Sequence, residues 1–93
     1  MENKIRIEYC TQCNWLLRAT WMSQELLTTF NTEINSLTLT PVTGGVYNIY
    51  ANDILIWSRK EKSGFPEITI LKQLTRDVIA PDRNLGHIDR KKK

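Results

Sequence analysis

The sequence predicts one small domain of mixed α/β (α+β) structure, with the element order β-α-β-β-β-α. Three observations carry this prediction. The 93 residues are enough for one core, because domains usually contain about 100–150 residues. The hydrophobic fraction of 41% and the charged fraction of 25% are those of a globular chain, not of a disordered one. The spacing of apolar residues switches between the period of two that marks strands and the period near 3.6 that marks helices.

The first strand and the first helix have the clearest patterns. Residues 4–9 alternate between polar and apolar side chains, as a strand with one buried face does. A helical stripe begins after the second cysteine. Its members are Trp15, Ala19, Met22, Leu26 and Phe30, widened by Leu16, Leu17 and Leu27. We expect Thr11 to cap this helix at its N-terminus and Asn31 to mark its end.

Three more strands follow the first helix. Residues 36–40 alternate, and Pro41 ends this second strand because proline has no N–H to donate to a sheet. Two strand-like runs within residues 46–59 are joined by Asn52 and Asp53. Both residue types tolerate left-handed backbone angles, so the pair predicts a two-residue hairpin turn.

A second helix follows a polar linker over residues 60–64. Pro66 fits the first position of this helix, and Pro81 ends it. Its apolar stripe consists of Ile68, Leu71, Leu74, Thr75 and Val78. From residue 82 onward the chain shows no period. We therefore predict a single domain over residues 1–81 and an extended basic tail over residues 82–93.

This order of elements predicts a thioredoxin-like fold. A strand–helix–strand beginning requires a parallel pair of strands with a crossover helix. The hairpin then adds antiparallel strands, which gives a four-stranded mixed sheet in the order 2-1-3-4. Both helices are expected on one face of the sheet.

The positive charge of the chain is concentrated at its C-terminal end. Thirteen Lys and Arg against ten Asp and Glu give a net charge of +3. Arg90, Lys91, Lys92 and Lys93 supply four of these positive charges, so the rest is close to neutral. We expect a solvated tail and no nucleic-acid partner. No apolar run is long enough for a membrane span or a signal peptide, so we expect a cytoplasmic protein with no membrane partner.

The residues that carry chemistry are Cys10 and Cys13, at the junction of the first strand and the first helix, and we expect Cys13 to lie in the first turn of that helix. A helix N-terminus stabilises a thiolate by about 0.3–2 kcal/mol, and the thiolate is the nucleophile of thiol–disulfide exchange. Two intervening residues allow Cα atoms about 5–6 Å apart, the separation that a disulfide requires. The motif predicts a catalytic redox pair. Buried structural cysteines and half of a zinc site are the alternatives.

The similarity of this chain to a known family extends well beyond the motif. The stretches that carry it are IEYCTQCNWLLRA at residues 7–19, WMSQELL at 21–27, TGGV at 43–46, WSRK at 57–60 and GFPE at 64–67. They resemble bacterial, cysteine-containing members of the selenoprotein W-like family, also called the Rdx family and grouped with selenoproteins T and H. The resemblance covers the chain from about residue 4 to residue 86.

The resemblance implies a thioredoxin-like fold and a thiol-dependent redox role that is often linked to glutathione. Glutathione is then a candidate co-substrate, and no bound cofactor or metal is expected. Animal members carry selenocysteine in the place of Cys13, as CxxU instead of CxxC. This implies that Cys13 attacks and Cys10 resolves. Thioredoxins use the first cysteine instead, so both assignments stay open.

Other residues near the motif have two interpretations each. Trp15 and Trp21 are expected to pack in or beside the core, with partner recognition as the alternative. Arg18 is expected to be an exposed helix arginine, with a glutathione carboxylate as its alternative partner. Pro41 does not directly precede the third strand as the cis-proline of thioredoxins does. We therefore expect residues 42–45 to line the site instead.

Three functions are consistent with the sequence. The leading hypothesis is a small cytoplasmic thiol–disulfide oxidoreductase that acts through Cys10 and Cys13 on glutathione-linked or protein disulfides, or on peroxide-derived oxidants. The second is a non-enzymatic redox-sensing adaptor that binds a partner protein through an exposed Trp or Phe65. The third is a zinc-binding dimer in which two chains share four cysteines. The sequence does not fix the oligomeric state.

Overall fold

The structure, a computed structural model, describes residues 2–90 of the chain. Its elements in that range are β1 (Lys4–Cys10), α1 (Leu16–Thr29), β2 (Ser36–Val42), β3 (Tyr47–Ala51), β4 (Ile54–Ser58), α2 (Arg59–Lys62), α3 (Ile68–Ile79) and a 3₁₀ helix (Gly86–Arg90). The predicted order of four strands and two long helices is confirmed. The short helix α2 and the 3₁₀ helix were not predicted.

The four strands form one mixed sheet in the order β2-β1-β3-β4. β1 pairs in parallel with β2 and antiparallel with β3, and β3 pairs antiparallel with β4. Cys10, the last residue of β1, lies opposite Val42 at the end of β2. The predicted strand order and the thioredoxin-like fold are confirmed. The two cysteines therefore stand at one end of the central strand pair.

The core lies between one face of the sheet and the two long helices. The alternating apolar residues of β1 and β3 belong to this core; β1 contacts α1, β3 contacts α3, and the two helices contact each other. The buried apolar residues are Ile5, Ile7, Tyr9, Ala19, Met22, Leu26, Phe30, Tyr47, Ile49, Ala51 and Leu71. Full burial of a large apolar side chain contributes about 1.5–3 kcal/mol. This layer therefore fixes α1, and with it the segment that carries Cys13, against β1.

A polar network ties β1 to β3 through Glu8. The Glu8 carboxylate accepts hydrogen bonds from Arg6 Nη1 at 2.7 Å, Asn48 Nδ2 at 3.1 Å and the Tyr50 hydroxyl at 3.1 Å. Burial acts to raise the pKa of Glu8, but these hydrogen bonds outweigh it and hold the pKa below its ordinary value. The carboxylate thus joins β1 to β3 within the sheet.

The hairpin between β3 and β4 turns at the predicted pair. Asn52 and Asp53 have φ angles of 50° and 66°, which are left-handed at both central positions, as in a type I′ turn. Asn52 Oδ1 also accepts the Lys4 N–H at 2.8 Å, and its Nδ2 donates to Asn3 Oδ1 at 2.9 Å. The turn is therefore attached to the start of β1, which sets the register of the central strands.

Several sequence expectations for α1 are wrong. The helix begins at Leu16, and Thr11 does not cap it, because the Thr11 N–H and hydroxyl both donate to the Val42 carbonyl. Leu16, Leu17 and Leu27 were expected to widen the buried stripe, but they are exposed, Leu17 by 81%. The hydrophobic periodicity predicted a buried face that is wider than the part of α1 covered by the sheet and α3.

Three further boundaries differ from the sequence interpretation. Pro41 lies inside β2, which tolerates it because β2 is an edge strand. The linker predicted over residues 60–64 begins instead as the four-residue helix α2. α3 begins at Ile68, with Glu67 at the N-cap position, two residues later than Pro66 predicted. The predicted helical stripe of α3 otherwise holds, with Leu71 and Thr75 buried.

The segment from residue 82 is folded back on α3 as far as it is described, instead of being extended. Arg76 Nη1 donates to Asp89 Oδ2 at 2.7 Å, and Gln73 Nε2 donates to the Ile88 carbonyl at 2.8 Å. The hydrogen bond from Arg76, aided by a backbone N–H, lowers the pKa of Asp89 to about 2. Because these partners lie on α3, the absence of hydrophobic periodicity within residues 82–90 did not indicate that the segment is folded.

The basic residues 91–93, predicted to belong to the tail, lie outside the described residues. Their solvated state and the division of the chain after residue 81 stay predictions. Within residues 2–90, no helix is both long enough and apolar enough to cross a membrane.

Candidate active site

Cys10 and Cys13 are brought together in a tight turn after β1. Cys10 is the last residue of the strand, and residues 11–14 form the turn that leads to α1. The two sulfurs form a disulfide, with Cα atoms 5.4 Å apart. This separation lies in the range expected from the motif. The juxtaposition predicted from the spacing of the two cysteines is therefore present.

The predicted placement of Cys13 in the first turn of a helix is wrong. α1 starts at Leu16 with Trp15 at its N-cap position, so Cys13 precedes the helix. Asn14 has φ of 61°, a left-handed conformation that asparagine adopts more readily than most residues, and it stops the helix from extending back. The helix-dipole argument for a stabilised thiolate therefore does not apply to Cys13, because the dipole acts mainly within the first turn.

Exposure distinguishes the two sulfur-bearing residues instead. Cys10 is only 1% exposed, whereas Cys13 is partly exposed in the turn. Thiol–disulfide exchange requires an attacking group to reach the sulfur, so access favours reaction at Cys13. Cys10 is buried at the end of β1 and is bonded to Cys13 from that side of the turn.

Backbone hydrogen bonds hold the turn at the end of the sheet. The Thr11 N–H donates to the Val42 carbonyl at 2.9 Å, and the Thr11 hydroxyl donates to the same oxygen at 3.3 Å. The Asn14 N–H donates to the Thr11 carbonyl at 3.2 Å, and the Trp15 N–H donates to the Cys10 carbonyl at 3.5 Å. Val42, the first residue of the segment expected to line the site, thus contacts the motif directly.

An aromatic cluster of Trp15, Tyr47 and Phe65 lies behind the turn. The ring centroids of Trp15 and Phe65, and of Tyr47 and Phe65, are 5.0 Å apart, and all pairs pack edge to face. The buried Tyr47 hydroxyl donates to Met22 Sδ at 3.2 Å, and burial raises the pKa of this hydroxyl despite the opposing charge of Arg18. Trp15 therefore packs against the core edge, as the sequence favoured.

Two arginines cover this aromatic cluster. The Arg18 Cζ lies 4.0 Å from the Phe65 ring centre, and the Arg59 Cζ lies 4.7 Å from the Trp15 ring centre and 5.4 Å from that of Phe65. Arg18 is exposed, as predicted, but it stacks on an aromatic ring. Sequence reasoning assigned no role to Arg59 and saw Phe65 only as a candidate partner contact. The WSRK and GFPE stretches contain both, but their convergence is a long-range feature.

The surface beside the turn is apolar and grooved. A groove of about 480 Å³ is lined by Tyr9, Thr11, Asn14, Leu16, Leu17 and Thr20. A second groove of about 300 Å³ is lined by Asn14, Trp15, Leu17, Arg18 and Trp21. Leu17, exposed by 81%, lines both grooves. Trp21 lines the second and is 46% exposed, so the expectation that it packs in or beside the core is wrong. Both grooves include Asn14, which follows Cys13 in the chain, and residues of the first turns of α1.

The described residues hold no group of three or more His, Cys, Asp or Glu side chains placed to bind a metal ion. A zinc site shared by two chains would use only Cys10 and Cys13 from each, and it stays a prediction. The cytoplasmic location likewise stays a prediction.

The arrangement has the parts that a dithiol redox centre needs. A bonded cysteine pair is fixed at the end of a strand, one of its members is partly exposed, and the residue that follows this member, Asn14, lines two grooves. The disulfide closes a turn of four residues, Cys10 to Cys13, at the end of β1. The geometry thus suits reversible oxidation and reduction of this pair.

Comparison with known proteins places this site in a family. The model of the Rdx family matches residues 4–77. The crystal structure of a selenoprotein W-related protein from Vibrio cholerae is 51% identical, with a TM-score of 0.82 over 84% of this chain and 98% of that chain. The crystal structure of a Bordetella parapertussis protein is also 51% identical, with a TM-score of 0.80 over 83% of this chain and 98% of that one. No curated protein matches the chain. The family match and the bonded CxxC pair together point to a redox role, and the chain belongs to the Rdx family.

Proposed function

We propose that this protein is a thiol–disulfide oxidoreductase in which Cys13 attacks the substrate and Cys10 resolves the intermediate. Its substrates are glutathione-linked or protein disulfides, and glutathione is its reductant. The observation that carries the proposal is the unequal exposure of two bonded cysteines, with Cys10 1% exposed and Cys13 open to the turn surface. The selenocysteine that animal relatives carry in the place of Cys13 supports the same assignment.

The reaction starts from the reduced protein. The Cys13 thiolate attacks one sulfur of the substrate disulfide, the substrate S–S bond breaks, and one half of the substrate leaves as a thiolate with the electron pair of that bond. Cys13 and the other half are then joined as a mixed disulfide. This intermediate exposes the Cys13 sulfur to a second attack from the protein side.

Cys10 completes the reaction. Its thiol loses a proton to solvent, its sulfur attacks Cys13 Sγ, and the second half of the substrate leaves as a thiolate that takes up a proton. The protein ends with the Cys10–Cys13 disulfide, the state seen in the structure, and has lost two electrons to the substrate. Two glutathione molecules, oxidised to glutathione disulfide, restore both thiols by the reverse steps. We place this cycle in the cytoplasm, where glutathione maintains reducing conditions.

The test separates the two cysteines by substitution. We expect Cys13→Ser to abolish reduction of a model disulfide, because no accessible thiolate remains. Cys10→Ser is expected to retain the first attack and to accumulate a mixed disulfide with the substrate, visible by mass spectrometry as one substrate half per chain. The matched control is the double variant, which should form neither adduct nor disulfide.

The reverse pattern would contradict the assignment of roles. If Cys13→Ser accumulated the mixed disulfide and Cys10→Ser did not react, Cys10 would be the attacking residue despite its burial. If Cys13→Ser left every exchange activity at the level of the unmodified chain, the proposed function itself would fail.

A redox-sensing adaptor is the second candidate, favoured by the exposed apolar side chains that follow the motif. Leu16, Leu17 and Trp21 are exposed by 50%, 81% and 46%. Oxidation of the pair would change the surface beside them and so change partner binding. Affinity capture under reducing and oxidising conditions should then recover different partner proteins. Identical partner sets in the two conditions would argue against the adaptor.

A further inference from the structure

We propose that Asn14 is a positioning residue for the redox pair, because its left-handed backbone turns Cys13 back toward Cys10 and so favours closure of the disulfide. The role rests on the proposed function, since it concerns the step in which Cys10 resolves the intermediate. The backbone of Asn14 has this effect, and its side chain is not required for it.

The turn that carries Cys13 is anchored on both sides. On one side, Cys10 is the last residue of β1 and is 1% exposed. On the other side, Trp15 packs edge to face on Phe65, with ring centres 5.0 Å apart at the edge of the core. Residues 11–14 must therefore span the distance between two fixed points, which restricts the backbone angles that they can adopt.

Asn14 is the single residue between the disulfide loop and the anchored Trp15. The loop itself is closed by the bond between Cys10 and Cys13. Because each residue has only two soft backbone dihedral angles, the φ of 61° at Asn14 helps to decide the direction in which the loop leaves the helix. A right-handed angle here would continue α1 backward, and it would move Cys13 relative to Cys10 as long as Trp15 stays in place.

The contacts of Asn14 are made by its backbone. Its N–H donates to the Thr11 carbonyl at 3.2 Å and so closes the turn. Its side chain is exposed, and no hydrogen bond joins that side chain to another of residues 2–90. Glycine and asparagine adopt left-handed angles more readily than other residue types, whereas a β-branched residue at such an angle is strongly disfavoured. Glycine should therefore replace Asn14 without loss, and valine should not.

The oxidised and the reduced protein depend on this angle to different degrees. Closure of the disulfide removes two electrons and two protons from the two thiols, and in a glutathione buffer it converts one glutathione disulfide into two glutathione molecules. In the oxidised form the S–S bond ties residues 10–13 together, so residue 14 must keep its left-handed angle. In the reduced form Cys13 is not tethered to Cys10, so a residue that disfavours this angle can relax. Such a residue therefore destabilises the oxidised form more than the reduced form.

The experiment measures the equilibrium constant for disulfide formation in the full chain, by alkylation of free thiols after equilibration in glutathione buffers. We expect Asn14→Val to lower this constant by about tenfold, which corresponds to a reduction potential about 30 mV less negative. Asn14→Ala should lower it by about threefold, and it supplies a second variant if valine prevents folding. Asn14→Gly should keep the constant within about twofold of that of the unmodified chain.

Asp53→Val is the matched control. Asp53 is also exposed and has a φ of 66°, but it lies in the hairpin turn, which is attached to the opposite end of β1 through the hydrogen bond from the Asn52 N–H to the Lys4 carbonyl. Valine at this position should lower the free energy of unfolding of both redox forms equally. The equilibrium constant for disulfide formation should therefore stay unchanged in this variant.

An unchanged constant in Asn14→Val and Asn14→Ala would overturn the role of Asn14, and so would an equal fall in Asp53→Val or in Asn14→Gly. The exchange activity of Cys13→Ser tests the proposed function separately. If Cys13→Ser keeps full activity while Asn14→Val still shifts the equilibrium, the proposed function fails and the role of Asn14 in closing the disulfide stands. If Cys13→Ser loses activity while the Asn14 variants leave the equilibrium unchanged, only the role of Asn14 fails.

Discussion

Reduction of the Cys10–Cys13 disulfide should destabilise the fold by a predictable amount. The two cysteines are three positions apart, so the bond closes a loop of four residues. The chain-entropy relation for a loop of this size gives about 6 cal/mol/K, or about 2 kcal/mol at 25 °C, through restriction of the unfolded chain. The Cα separation of 5.4 Å requires no backbone movement to accommodate the bond. We therefore expect the oxidised form to be the more stable one.

This difference is measured by thermal unfolding of the oxidised and the reduced protein, followed by circular dichroism. For a domain of this size, about 2 kcal/mol corresponds to a rise of roughly 10 °C in Tm. The Cys10→Ser, Cys13→Ser double variant is the control, and its Tm should be the same with and without reductant. Because folding and disulfide formation are linked equilibria, the equilibrium constant for forming the disulfide should be about 25-fold larger in the folded protein than in the unfolded chain.

A reduced form that unfolds at a higher temperature than the oxidised form would refute this reasoning. It would mean that the turn stabilises the free thiols or a thiolate more than the bond, as in a strong oxidant. Equal Tm values would mean that the loop-closure term is cancelled in the folded state. In both cases the pair would not behave as the chain-entropy argument requires.

Three further predictions concern the frame that holds the site. Glu8→Gln should lower the urea midpoint at pH 7, and the gap to the unmodified chain should close as pH falls below about 4.5. The direction follows from the pKa of Glu8, which is lower in the folded protein than in the unfolded chain. The ionised carboxylate therefore contributes its full stabilisation at a pH above the unfolded pKa, and this stabilisation is lost as the pH falls through the folded pKa. Asp53→Gly should raise the free energy of unfolding by about 0.5 kcal/mol, since φ there is 66°; a loss would contradict this. Leu26→Ala, at a fully buried position, should cost about 2–5 kcal/mol in urea unfolding, and a cost below 1 kcal/mol would contradict the assigned packing.

The elements whose structure depends on local signals could be predicted from the sequence. The strand order, the Asn52–Asp53 turn and the meeting of Cys10 with Cys13 follow from alternation, turn chemistry and motif spacing. Each depends on residues close together in the chain, or on the pairing rules for strands. The fold and the position of the two cysteines could therefore be predicted from these local features.

The features that sequence reasoning missed depend on contacts between distant segments or on one backbone angle. The left-handed conformation of Asn14 delays α1, so Cys13 does not lie in its first turn. Leu17 fits the helical period but projects away from the core. Phe65 and Arg59 contact Trp15 although both lie far from it in the sequence. Hydrophobic periodicity carries no information on contacts between segments that are distant in the sequence.

The central claim is that Cys10 and Cys13 form one reversible two-electron redox centre, and its reduction potential tests this most directly. The protein is equilibrated in glutathione buffers of varied poise, its thiols are alkylated, and the labelled and unlabelled chains are counted by mass spectrometry. The account predicts that both thiols appear together in a single transition between about −180 and −270 mV. Failure to form an intramolecular disulfide at any poise would contradict it.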